Sequence, residues 1–273
     1  MMNLFNRTAF ESSRIVTRAY STSFTLGIRT LDKRFHEAIY SIYGMVRYAD
    51  EIVDSFHHYD KKYLLDKFKK DTFEAIEQKI SLNPILQSYQ LTVHKYKIDN
   101  ALTEAFFHSM EMDLNKTIHD DDSYNEYIYG SAEVVGIMCL KIFTENNQEQ
   151  FNNLEKYARA LGAAFQKVNF LRDLKSDFAE RGRVYFPGVN FNAFTPELKK
   201  LIEADIQKDF DLALIGIKGL PTTSRNGVYL AYKFYLKLFD KIKNTEAEKI
   251  QTERIRVSDY QKASLMISAL FHV

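Results

Sequence analysis

Tryptophan is absent from this 273-residue chain, and it carries only one cysteine, four prolines and ten glycines. A lone thiol, Cys139, excludes an internal disulfide and a cysteine-rich metal cluster, and fits a reducing compartment. So little proline and glycine leaves too few tight turns for a β-sandwich or barrel. A net charge of +1 gives no general attraction to nucleic acid, so any anion-binding site must be local. No stretch approaches the roughly 20 apolar residues of a membrane span. The opening Met-Met-Asn-Leu-Phe-Asn-Arg-Thr lacks the apolar core of a signal peptide. These absences read as a soluble, cytoplasmic protein. There is no Gly/Ser tract, Pro-rich stretch or low-complexity run to serve as a linker, so one domain over 1–273 is expected.

Long segments rich in Leu, Ala, Glu, Lys and Gln repeat apolar residues at helical spacing, and the class they predict is all-α. Helices are expected over about 5–19, stopping at Tyr20-Ser21-Thr22-Ser23-Phe24, and from near Asp32 to Phe56. A charged helix follows over Lys61 to Ile80, and Asn83-Pro84 reads as N-cap and first-turn proline of the next. Asp99 caps a helix to about Lys116, and Ser123 with Glu126 has capping-box spacing for one running through Gly130 and Gly136 to about Phe143. Then come 147–179, a loop at Arg181 to Pro187, a helix from Thr195-Pro196 to about Gly216, another over 222–244, and a last one capped by Ser258 with Gln261. The 21 Phe and 17 Tyr fill a core, or in part line a pocket for a long hydrocarbon.

Two of these helices carry the same device. Tyr43, Arg47, Asp50 and Asp54 recur at intervals of 4, 3 and 4, and therefore share one helical stripe. Gln166, Asn169, Asp173 and Asp177 recur at 3, 4 and 4 and share another. Like charges four residues apart repel, and a helix gains nothing from them unless a cation sits between. Taken alone, the first stripe reads as a surface ion-pair row in which Arg47 neutralises Asp50. The second, with amide and carboxylate oxygens together, is the donor set hard divalent cations choose. Arg172 stands beside Asp173, where its guanidinium could grip a phosphate in a forked contact. Two such stripes facing across a helical core would hold Mg²⁺ and, through it, a diphosphate.

The ordered blocks around these stripes resemble the squalene/phytoene synthases, which join two prenyl diphosphates head to head. The resemblance runs from Ser21-Thr22-Ser23-Phe24 through Tyr43-Gly44-Met45-Val46-Arg47-Tyr48-Ala49-Asp50-Glu51-Ile52-Val53-Asp54. It resumes at Met110-Glu111-Met112-Asp113-Leu114 and at Tyr127-Ile128-Tyr129-Gly130-Ser131-Ala132-Glu133-Val134-Val135-Gly136, and is densest at Asn169-Phe170-Leu171-Arg172-Asp173, leading into Arg181-Gly182-Arg183-Val184-Tyr185-Phe186-Pro187. It departs at Ser131-Ala132-Glu133, where many members have Ala-Gly-Thr, which bears on local packing more than on chemistry.

The resemblance implies an isoprenoid-synthase-type helical bundle with a central active-site cavity. It implies that Asp50, Asp54, Asn169, Asp173 and Asp177 bind Mg²⁺, with Mn²⁺ the second choice. Tyr20, Ser21, Thr22 and Ser23 match the family's short phosphate-contacting segment. Tyr43, Arg47, Gln166 and Arg172 match further diphosphate contacts, Tyr235 a tyrosine near the substrate, and Arg254 a late arginine reaching phosphate. Tyr129 and Asp113 would support them. The reaction implied forms phytoene from two C20 diphosphates and needs no NADPH. The alternatives are a C15 substrate giving dehydrosqualene or squalene, and a noncatalytic scaffold of the same fold. Prenyl diphosphates are the partners, with peripheral contact to the inner face of a membrane and neighbouring carotenoid enzymes as further ones. Lys61-Lys62 and Lys69-Lys70 read as solvated faces that could touch such a surface. His57-His58 reads as a solvated loop, and Asp120-Asp121-Asp122 as an acidic helix start.

Overall fold

The computed structural model describes residues 2–115, 118–189 and 194–256. Among them helices dominate, and the one β-bridge, Ile118 to Val184, is isolated. In chain order the helices are α1 (Met2–Tyr20), α2 (Thr22–Arg29), α3 (Lys33–Ser55), α4 (Lys61–Gln78), α5 (Pro84–Tyr96) and α6 (Asn100–Asn115). There follow α7 (Asp121–Ile128), a π-turn at Tyr129–Glu133, α8 (Val134–Phe143), α9 (Gln148–Arg181), α10 (Pro196–Gly219), α11 (Thr222–Lys243) and α12 (Ala247–Thr252).

Side-chain caps set most of the starts. Asp32, Asp60, Asn83, Asn147 and Thr195 each accept a hydrogen bond from a first-turn amide of α3, α4, α5, α9 and α10. Three expectations need correction. Tyr20–Phe24 is not the end of helical structure: Ser21 breaks the chain for one residue and caps α2 through the Phe24 amide at 3.2 Å. Ser123 is not an N-cap but the third residue of α7, whose cap is Asp120, so the acidic triplet is indeed a helix start. The helix expected to run on to Phe143 is interrupted by the π-turn. The sequence reading also missed α12, and the cap expected at Ser258 with Gln261 lies outside the described residues.

Burial falls into two large apolar clusters. One joins α3, α4, α5, α6, α8 and the N-terminal part of α9, around Phe35, Met45, Leu65, Tyr89, Phe106 and Met138. The other joins the middle and end of α9 with α10, α11 and α12, around Leu171, Phe210 and Phe239. The stripe on α3 therefore belongs to one half-core and the stripe on α9 to the other. No helix among the described residues is long and apolar enough to cross a membrane.

Candidate active site

The α3 stripe starts at Tyr43, whose ring stacks on Phe24 of α2 at 5.1 Å. Burial pushes its phenol up to about 12, against the pull of Arg47. The Arg47 guanidinium lies 4.3 Å from the ring centre of Tyr20, the last residue of α1. It pairs with Glu51, and its distance to Asp50 is 4.0 Å. The expected Arg47–Asp50 neutralisation is thus only marginal, and Glu51 takes the cation instead. Ser21 lies beside Tyr43 and caps α2, while Thr22 is exposed and Ser23 half-buried. The break between α1 and α2 hence sets Tyr20 and Phe24 against the α3 stripe.

On α9, the Asn169 amide donates to Gln166 at 3.5 Å, and its oxygen accepts from the Tyr235 hydroxyl of α11 at 3.3 Å. Tyr235 stacks on Phe165 at 3.8 Å and 13°. Arg172 Nε reaches both Asp173 oxygens at 3.1 Å, and Arg254 Nε lies 2.7 Å from Asp173 Oδ1. Asp177, one turn on, is buried. Tyr235 of α11, bonded to Asn169 of α9, lies near Tyr43 of α3 and Arg172 of α9, so the two stripes are neighbours there.

Arg183 ties the two stripes together at their far ends. It was legible only as part of the Arg-x-Tyr-x-Pro block, with no role attached. α9 ends at Gly182, whose left-handed backbone (φ 65°) turns the chain so that the Arg183 amide donates to the Asp177 carbonyl at 2.8 Å. The Arg183 side chain, only 8% exposed, donates to Asp54 Oδ1 at 3.0 Å and to the Asp113 carbonyl at 3.0 Å. The Asp113 carboxylate accepts from Tyr127 at 2.7 Å and Tyr185 at 2.9 Å, with Arg183 3.6 Å away. Burial still drives the Asp113 carboxyl up to about 6. The supporting role expected of Asp113 is therefore to hold Arg183, and through it Asp54.

Negative charge exceeds positive at the α3 end of this site. Asp50 keeps 34% of its side chain open. Burial of its carboxyl first, and then Asp54, raise it to about 7 against the pull of Arg47, and Asp113 and Glu51 push it the same way. A carboxylate so surrounded fits a bound cation, which would reverse each of those repulsions. Among the described residues no three His, Cys, Asp or Glu side chains converge to enclose a metal ion unaided. The donors that fit such an ion are divided between α3 and α9.

Residues 17–261 match the family model described as squalene/phytoene synthase. The chain is 27% identical, over a 280-residue alignment, to a phytoene synthase of Arthrospira platensis, covering 93% of this chain and 90% of that one. It is also 27% identical over 201 residues to a 4,4'-diapophytoene synthase of Staphylococcus haemolyticus, covering 71% and 67%. A crystal structure of a dehydrosqualene synthase with ligand superposes with a TM-score of 0.83 at 19% identity, over 97% of this chain and 96% of that one. That likeness shows that the chain shares the all-α fold of that synthase. With the model matching most of its length, the chain belongs to the squalene/phytoene synthase family.

Proposed function

We propose that the protein condenses two geranylgeranyl diphosphates head to head into phytoene, by way of a cyclopropylcarbinyl diphosphate. The observation that carries this reading is the pair of polar stripes on α3 and α9, brought beside each other where Arg183 spans from Asp177 to Asp54. Similarity to phytoene synthases supports the C20 substrate.

Asp50, Asp54, Asn169, Asp173 and Asp177 would hold the divalent cation, Mg²⁺ or Mn²⁺. When bound it supplies charge that neutralises diphosphate and eases pyrophosphate departure. Arg47 and Arg172 bind diphosphate oxygens by charge-assisted hydrogen bonds, with Arg254 joining from the far side of Asp173. Arg172 and Arg254 are tied to Asp173 here, so each has a carboxylate to exchange for a phosphate oxygen. As the first C–O bond breaks, the allylic cation is attacked by the double bond of the second substrate, and a proton leaves to close the cyclopropane. The second C–O bond then breaks, the cation rearranges, and loss of a proton gives the conjugated triene. The stacked pairs Phe24–Tyr43 and Phe165–Tyr235 flank the stripes and offer ring faces to a passing cation. The apolar half-cores on either side keep water from quenching it.

A C15 substrate is the second reading, favoured by the likeness to a diapophytoene synthase and to a dehydrosqualene synthase structure. A scaffold without catalysis is disfavoured, because both carboxylate pairs, Asn169 and Arg172 are all kept. The test supplies Mg²⁺ with C15 or C20 diphosphate, without NADPH, and identifies the hydrocarbon by mass. A C40 triene from C20 substrate, absent with Asp173→Ala, is the expected outcome. A C30 product alone would move the protein to the second reading, and no product from folded protein to the third.

A further inference from the structure

The outer side of α1 bears a basic cavity that the proposed reaction does not use. Arg14 and Arg18, one turn apart on α1, and Arg29 at the end of α2 line a space of about 230 Å³ together with His36 and Tyr40 of α3. Two carboxylates, Glu11 and Glu37, share its rim. Glu11 is engaged by Arg14 at 2.5 Å. Among the described residues, neither Arg18 nor Arg29 has a carboxylate within ion-pair distance. All three guanidinium groups lie near the buried Tyr40 phenol. His36 Nε2 donates to the Leu31 carbonyl at 3.0 Å, which fixes its ring at the wall.

The position separates this cavity from the aspartates. None of the candidate catalytic residues lines it. Along α3 the rise from Tyr40 to Asp50 is roughly 15 Å, beyond the span of one diphosphate. Its volume falls below the ~300–1,000 Å³ of pockets for drug-sized ligands, so it suits a head group and not a prenyl chain. Two unpaired forked donors converging on one space match the geometry of a phosphate.

We propose that this cavity is a second anion site, which takes one phosphoryl group independently of the α3 and α9 stripes. The group could arrive as free phosphate or on an anionic lipid. The second source suits the same helix, on which Leu4 and Ile15 are 60% and 64% exposed.

The full chain is titrated calorimetrically with inorganic phosphate as wild type, as Arg18→Gln/Arg29→Gln, and as Arg172→Gln. The double variant is expected to bind about tenfold or more weakly, since each charge-assisted bond is worth about that factor, while Arg172→Gln keeps wild-type affinity for this site. Arg18 and Arg29 are exposed, so folding should survive, and Arg29→Lys, which keeps charge without the fork, should fall between. Equal binding by wild type and the double variant overturns the proposal, as does loss of all binding in Arg172→Gln. Flotation with phosphatidylcholine vesicles, with and without phosphatidic acid, separates the sources. Flotation on the acidic vesicles alone, weakened in the double variant and competed by phosphate, assigns a lipid head group. Unchanged flotation beside weakened phosphate binding assigns the free anion.

Discussion

Arg183 shows how one buried cation can organise two distant carboxylates. It reaches Asp54 and Asp113 from the loop after α9, and removing it would leave the Asp113 charge buried with only two tyrosine donors. Breaking such a pair costs about 3–5 kcal/mol. Arg183→Ala should therefore lower unfolding free energy by about that much in urea titration, and release Asp54 from its place. Arg183→Lys should recover part of the stability but less of the activity, because an ammonium lacks the fork that spans two partners. Asp113 itself adds a pH signature. Its carboxyl holds a proton more tightly folded, at about 6, than unfolded, near the ordinary carboxylate range. Its contribution to stability is hence fully present below about pH 4 and lost as pH rises through about 6. Urea midpoints of wild type and Asp113→Asn, measured from pH 4 to 7, should diverge most in the wild type's favour at the acid end. A difference independent of pH would contradict this.

At the scale of elements, α9 is the part on which the site depends, and its position is set by a close contact with the π-turn. A Cβ on Gly162 would come within 2.5 Å of the Ala132 carbonyl oxygen, an approach no side chain tolerates. Gly162→Ala should push α9 outward at a cost of about 1–3 kcal/mol. Because Gln166, Asn169 and Asp173 follow on the same helix, turnover should fall together with melting temperature. A variant that melts lower yet turns over normally would show that the contact does not position the site. The same elements show what the sequence could disclose. Asp32, Asn83, Asp99, Asn147 and Thr195 announced or adjoined helix starts because a cap is a local event within three residues. At Ser21 the same chemistry misled, since a capping serine between two helices looks like a terminus. The π-turn interrupts a helical pattern that reads as continuous: its extra residue is accommodated by packing against α6 and α9, around Gly130 and Gly162. Glu133, which departs from the family pattern, ends that turn in an ion pair with Arg159 at 2.6 Å.

Over the whole molecule, periodicity gave both polar stripes but not their relation. The i, i+4 spacing of Asp50 with Asp54 and Asp173 with Asp177 is a property of one helix, whereas Arg183 meets Asp54 across 129 residues. What brings the stripes together is the division of the core into two apolar clusters with α9 entering both. The site lies at their seam, where Asp50 is left with more negative than positive neighbours and Asp173 is shared by Arg172 and Arg254. In the proposed function, α3 and α9 jointly hold a cation and, through it, a diphosphate. The most direct test is thermal unfolding with a nonreactive prenyl diphosphate analogue, with and without Mg²⁺, in wild type, Asp50→Ala and Asp173→Ala. Melting temperature should rise only with analogue and Mg²⁺ together, and the rise should disappear in either variant. A rise that persists without Mg²⁺, or in both variants, would contradict it.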